Sequence, residues 1–251
     1  MKHTTGMTRQ EIEYIADLAE TFHQGPIPEC PPSISTFLAI RITATYWYTN
    51  RTQWDLAETF STSQATISRT INAATHTLAA ILRQSIPVRE DLHEDAVYVV
   101  DGTLLPCWSW RGHTDLYSGK HKTTGHNVQI AVTLAGQVAW VSDPFDGCRH
   151  DMHALTQSEV LSTLDPRQWI GDKGYLGSGI HTPTRKPQSR DLTESEKQGN
   201  SSINKIRWIV ERGVAHLKNW NILATDYRRP LETFARTLTA TLGLFFHLQA
   251  G

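Results

Sequence analysis

Cysteine is scarce in this chain of 251 residues, with three in all. Cys30, Cys107 and Cys148 are odd in number and have no CxxC spacing. That argues against a disulfide framework and a zinc ribbon, and makes a reducing compartment the default. Long apolar runs are missing as well. None reaches the ~18 residues of a membrane span, and the first residues contain no signal-peptide core. We therefore expect a cytoplasmic chain with no membrane partner. Excess charge of one sign is also lacking. The formal net charge is −1, so the total points to no nucleic-acid partner. Neither an internal repeat nor a low-complexity tract is present.

What is there fits a globular protein of one or two domains, with 39% hydrophobic and 20% charged residues. The basic residues are unevenly spread. Arg185, Lys186, Arg190, Lys197, Lys205, Arg207, Arg212, Lys218, Arg228 and Arg229 crowd the last third. They form either a phosphate-facing surface or a solvated face balanced by acids elsewhere.

The first ninety or so residues read as helical. Residues 8–23 place Ile12, Ile15, Leu18, Ala19 and Phe22 on one side of a helix. The breaker cluster at 25–32 marks a loop, and Ser33 is expected to cap a second helix running to about Tyr48. Residues 53–83 then carry a helix-turn-helix pattern. Leu56, Ala57 and Phe60 end a short helix, Ser61-Thr62-Ser63 form a polar turn with an N-cap, and a second helix starts at Gln64. That helix would present Gln64, Thr66, Ser68 and Arg69 to base edges or phosphates. We place a domain boundary in the polar stretch Pro87–Asp95, giving a helical DNA-binding domain 1–90 and a second domain 91–251.

The second domain opens on the apolar run 96–100, a buried strand expected to end in Asp101-Gly102-Thr103. A carboxylate at a strand end is where open α/β sheets place their chemistry, although a turn Asp capping its own backbone looks the same in sequence. Residues 118–126 gather Lys120, His121, Lys122 and His126, as a phosphate-binding edge or a solvated loop. Residues 126–136 and 137–145 alternate as a hairpin about Ala135-Gly136. In 150–153, His150 and His153 suggest a metal site, but we read Asp151 as the N-cap of a helix from Met152 to about Leu164. Residues 167–175 form a short strand ending in Asp172, beside Lys173 and Gly174, and 180–186 fit a short edge strand. Residues 230–248 read as a core helix.

Ser201–Asn219 is the helix that organises this half. Ile206, Ile209, Val210, Gly213 and Leu217 make a stripe fit to pack on a sheet. Asn204, Arg207, Glu211 and Lys218 recur on a neighbouring face. Asp101, Asp172 and Glu211 thus lie on two strand ends and one packed helix. Such a trio can hold two hard divalent cations through oxygen.

The residues around the trio carry a resemblance. DGT at 101–103, SGK at 118–120, GCRHD at 147–151, GDKGY at 171–175 and RWIVERGVAHLK at 207–218 resemble DDE transposases of the RNase H-like superfamily. They look most like the bacterial insertion-sequence group related to Harbinger elements. Arg207, Glu211 and Lys218 match that family's Arg-x₃-Glu-x₆-Arg/Lys pattern, whereas Asn204 stands where many members have Tyr. The resemblance implies an α/β, RNase H-like mixed five-stranded sheet flanked by helices. It implies Asp101, Asp172 and Glu211 as catalytic ligands of two Mg²⁺ or Mn²⁺ ions, with Lys120, Lys122, Lys173, Arg207 and Lys218 on DNA. His150, Asp151 and Asn204 would stand behind them. The partner would be double-stranded DNA, meaning terminal inverted repeats and target. The chain would be a nucleoid-associated homo-oligomer that cleaves strands and transfers the freed 3′-hydroxyl. The alternatives are a decayed DNA-binding regulator, a nuclease without strand transfer, or a two-domain binding protein with a chance trio.

Overall fold

The computed structural model describes residues 1–108 and 112–250. The helices are α1 (Lys2–Thr5), α2 (Arg9–His23), α3 (Thr36–Thr49), α4 (Gln53–Thr59), α5 (Gln64–Ile81), α6 (Asp151–Gln157), α7 (Glu194–Lys218), α8 (Asn221–Ala224) and α9 (Phe234–Ala250). The strands are β1 (Tyr98–Pro106), β2 (Tyr117–Ser118), β3 (Thr123–Thr133), β4 (Val138–Val141), β5 (Phe145–Asp146) and β6 (Trp169–Ile170). The chain divides into two compact units, Met1–Ile86 with Leu217–Gly251, and Pro87–His216.

The first unit is all helical, and its helix starts are set by side-chain caps. Thr8 and Glu11 form a capping box on α2, and Thr52 and Asp55 form one on α4. Ser35 caps α3, two residues later than Ser33, and Ser63 caps α5. Ala57 and Ile67 are both buried where α4 meets α5. The sequence reading assigned the C-terminal helix to the other domain. In the structure α9 packs on α5, and Gly243 lies so close to Leu82 that a Cβ there would touch Leu82 Cβ and main-chain oxygen. An amphipathic pattern shows that a helix buries a face; it does not show against what.

The second unit is built on a mixed sheet. β1 pairs antiparallel with β3 along its whole length and parallel with β6 at Tyr98↔Trp169 and Val99↔Ile170. The outer edge of β3 is shared in succession by β2, β5 and β4. Among the described residues six strands therefore stand where five were expected, because 11-residue β3 outlasts each of its short partners. The β3–β4 hairpin turns at Ala135-Gly136, where Gly136 has φ 83. Alternation along β1 gives the sheet two different faces. Tyr98 and Val100 join Trp140, Leu155, Trp169 and Tyr175 in the core beneath α6. Val99 and Asp101 point the other way, toward α7.

Three expected elements differ. α6 is only seven residues long and ends at Ser158, before Glu159 at φ 54. Residues 180–186 supply a single bridge, Ile170↔His181, and no strand. α7 starts at Glu194, not Ser201, because Thr193 accepts from Glu196 N at 3.3 Å while Glu196 accepts from Thr193 N at 2.7 Å. Its apolar stripe does meet the sheet. Val210 is fully buried, and a Cβ on Gly213 would overlap Val132 of β3.

Candidate active site

Asp101 is not at a strand end. β1 continues five residues past it, because β3 supplies an antiparallel partner all the way to Pro106. The end that matters is that of the parallel pairing. Val99 and Ile170 are the last paired residues, and Asp101 and Asp172 each stand two positions beyond them, Asp101 still within β1 and Asp172 just past the end of β6. Asp172 keeps extended backbone, and its carboxylate accepts from Gly174 N at 2.6 Å, capping the 3₁₀ turn Lys173–Tyr175. The glycine after Asp172 thus supplies the amide that orients it. Asp101 Oδ1 accepts from Gly102 N at 3.0 Å.

The electrostatics follow from this crowding. Burial pushes the Asp101 carboxyl up to about 6, with Asp172 and Asp151 adding to the rise and Arg207 and Lys120 opposing it. Arg207 on α7 reaches Asp101 Oδ2 with Nη2 at 3.7 Å, too long for a strong hydrogen bond. Its Nε is buried without a hydrogen-bond partner among the described residues. Glu211 stands one turn further along the same helix and is exposed. Among the described residues, no three His, Cys, Asp or Glu side chains are close enough to hold one metal ion. The donor chemistry nonetheless suits a hard cation: oxygen ligands only, one of them a half-buried carboxylate that burial and two acidic neighbours push up.

Asp151 departs from the capping role expected of it. It does not cap α6; His150 holds the N-cap position without a side-chain bond. Asp151 is the first helical residue and turns its carboxylate to the sheet. Oδ2 accepts from Lys120 Nζ at 2.8 Å and Oδ1 from Asn127 Nδ2 at 3.1 Å. The chain of contacts runs on into the core. Gln129 Nε2 donates to Asn127 Oδ1 at 3.2 Å, and the buried Tyr175 hydroxyl donates to Gln129 Oε1 at 2.6 Å. Burial and the three neighbouring aspartates hold the Tyr175 phenol well above its usual range, so it remains a donor. Burial alone would lower the Lys120 ammonium, but Asp151 and the charges of Asp101 and Asp172 leave it raised. Asn127 and Gln129 sit inward on β3 on either side of Val128, buried polar residues within a strand that is otherwise apolar from Val128 to Val132; that break was the available signal.

The remaining expected residues are spread out. His150, Lys122 and Asn204 are exposed, Lys122 at the left-handed turn position φ 53 before β3. Lys173 is exposed beside Asp172. Lys218 is half-buried, which lowers its ammonium, and belongs to the first unit. In that unit Gln64 Nε2 is engaged by Gln53 Oε1 at 2.6 Å, and the Thr66 hydroxyl lies 2.9 Å from that of the capping Ser63. Ser68 and Arg69 remain at the surface of α5.

Residues 100–245 match the family model described as DDE superfamily endonuclease. A protein of Streptomyces albus G named as a transposase for insertion sequence element IS112 is 30% identical over 184 residues, covering 72% of this chain and 68% of that protein. A protein of Microchaete diplosiphon named as a transposase for insertion sequence element IS702 is 24% identical over 255 residues, covering 97% and 92%. No solved structure matches. The family model covers more than half of the chain, from the middle of β1 into α9, and the chain belongs to the DDE superfamily endonuclease family.

Proposed function

We propose that this chain is a transposase of the Harbinger-related insertion-sequence group. It binds the ends of its element, cleaves a DNA strand there and joins the freed 3′-hydroxyl to target DNA. The observation that carries the reading is the placement of Asp101 within β1 and of Asp172 just beyond the end of β6, each two residues past the last parallel pair, in a chain of this endonuclease family. Asp101, Asp172 and Glu211 would hold two divalent cations, which polarise the phosphodiester and activate the attacking oxygen.

The chain's own groups do the rest. Gly174 N orients the Asp172 carboxylate, and the Asp151–Asn127–Gln129–Tyr175 chain fixes Asp151 behind Asp101. Lys173 and Arg207 would hold the phosphate, and Lys120 and Lys122 the adjoining backbone. α4 and α5 would act as a helix-turn-helix, with Ser68 and Arg69 on DNA. A homo-oligomer would bring two element ends together.

The test uses a labelled duplex carrying an element end, with Mg²⁺ or with chelator. Metal-dependent nicking at the end, followed by joining to a supercoiled plasmid, is the expected result. Nicking without joining would leave a nuclease, and binding without nicking would leave a regulator derived from a transposase.

A further inference from the structure

Away from the carboxylates, the first unit holds a cationic cavity of about 620 Å³. Ser68, Arg69 and Asn72 of α5 line one side and Arg228 and Arg229 the other, with Glu29 the one carboxylate among the described lining residues. Three guanidinium groups against one carboxylate leave the space positive by two charges. The two sides meet across 157 residues of sequence where Arg229 reaches Asn72.

Both C-terminal arginines start from a fixed backbone. Asn50 ends α3 in the left-handed conformation, φ 43, and its amide donates to Thr225 Oγ1 at 2.7 Å and to Asp226 O at 3.1 Å. Arg228 Nη2 donates back to the main-chain oxygen and to Oδ1 of Asn50. Arg229 Nη2 donates to Asn72 Oδ1 at 3.3 Å, tying the loop to α5. Its Nη1 is buried and has no hydrogen-bond partner among the described residues. Arg229 as a whole is half-buried, and a buried donor nitrogen with an unmade hydrogen bond is costly unless an acceptor comes from outside. The field of Arg229 also reaches His76, whose imidazole burial, Arg236 and Arg229 hold low against the pull of Glu29.

A rigid guanidinium fork suits phosphate oxygens, and Ser68 and Asn72 add neutral polar groups beside it. The described lining contains no aromatic ring on which a base would stack. We propose that this cavity is a phosphodiester subsite that takes one backbone phosphate of duplex DNA and fixes the register of α5 on the duplex. The proposal rests on the DNA-binding reading above and extends its surface to the C-terminal segment. Phosphate contacts position a protein on DNA without reading sequence, so the loss on mutation is the same for every duplex.

The experiment measures binding of the full chain to fluorescein-labelled duplexes, one carrying an element end and one of scrambled sequence, from low to high NaCl. Arg229→Gln is expected to weaken both equally and to make the slope of log K on log salt shallower by about one. Ser68→Asp, which places a negative charge on the rim of the cavity without touching the Asn50 ties, gives the same sign should Arg229→Gln fail to fold. Unchanged affinity and slope in a folded Arg229→Gln protein would overturn the subsite while leaving DNA binding in place. A wild-type chain that binds neither duplex would overturn the DNA reading and the subsite with it. Inorganic phosphate titrated at constant ionic strength separates the two sources. Thermal stabilisation by phosphate that Arg229→Gln abolishes, with DNA binding unaltered, would assign the cavity to a free phosphate and overturn the proposal.

Discussion

The Asp151 carboxylate fills the space that a side chain at position 102 would occupy. A Cβ built on Gly102 would overlap Asp151 Oδ1 and press on Gln129 Nε2. The glycine therefore serves the approach of α6 to the sheet, not a turn, since β1 runs straight through it. Gly102→Ala should displace Asp151 and with it Lys120, lowering strand cleavage by about 10²-fold, the scale of an ångström-sized misplacement. Asp151→Asn should lose less, because the amide keeps the shape and can still meet Asn127. Cleavage at the wild-type rate by Gly102→Ala would sink this account.

The raised carboxyl of Asp101 predicts a stability effect with a definite sign. Its ordinary value is 3.8 and the folded value about 6, so the native state binds the proton more tightly than the unfolded one. Stability of the metal-free protein is therefore lost as pH rises through roughly 4 to 6, by no more than about 3 kcal/mol, and stays lost above it. Asp101→Asn should raise the melting temperature of the metal-free chain at pH 8, and much less at pH 4, while removing cleavage. Equal melting temperatures at pH 8 would mean that Asp101 is not held against its charge. Added Mg²⁺ should stabilise the wild type at pH 8 and do little for the variant.

Local signals read well in this sequence, and partners read poorly. Ser63 as an N-cap, the hairpin about Gly136 and the buried stripe through Val210 and Gly213 each follow from a few neighbouring residues. Asp101-Gly102 looked like a strand end because Asp followed by Gly is turn chemistry. The long antiparallel partner that keeps it extended comes more than twenty residues later. Asp151 looked like a cap for the same reason, and its real partners lie on β3. The C-terminal helix carried a correct core pattern but was assigned to the wrong unit, since periodicity names no neighbour.

That assignment has its own consequence. A fragment of residues 1–90 lacks α9 and leaves the buried face of α5 bare, so it should show no cooperative thermal transition by circular dichroism. Within the full chain, Gly243→Leu should destabilise the first unit by about 1–3 kcal/mol through overpacking against Leu82. A fragment 1–90 that melts cooperatively would show that α9 is dispensable.

Removal of any one carboxylate should end metal-dependent cleavage while DNA binding survives. Asp101→Asn, Asp172→Asn and Glu211→Gln act on one unit of chemistry, so their double variants should be little worse than the singles. Nicking of a labelled element end measures each. A Glu211→Gln protein at full rate would remove Glu211 from the ligand set and turn attention to Asp151, which with Asp172 is one of the two carboxylates whose charge acts on Asp101.

Arg207 offers two roles that mutation can separate. It lies beside Asp101 at 3.7 Å without a close hydrogen bond, and its Nε has no partner among the described residues. A supporting ion pair would be shorter and would leave no buried donor unmet. A guanidinium waiting for a phosphate would look as this one does. Its charge lowers the Asp101 carboxyl, so Arg207→Ala should push that group above about 6 and shift the acid limb of cleavage to higher pH. At pH 8, well above the wild-type value, removing a neighbouring cation should leave Mg²⁺ affinity equal or tighter. The rate should still fall, with no recovery at high Mg²⁺, because the phosphate has lost its clamp. Arg207→Lys should regain only part of it, since a point charge cannot make the two-pronged contact. Cleavage measured against Mg²⁺ concentration at pH 8 decides between them: full rescue of Arg207→Ala by metal would make Arg207 a support for the carboxylates and nothing more.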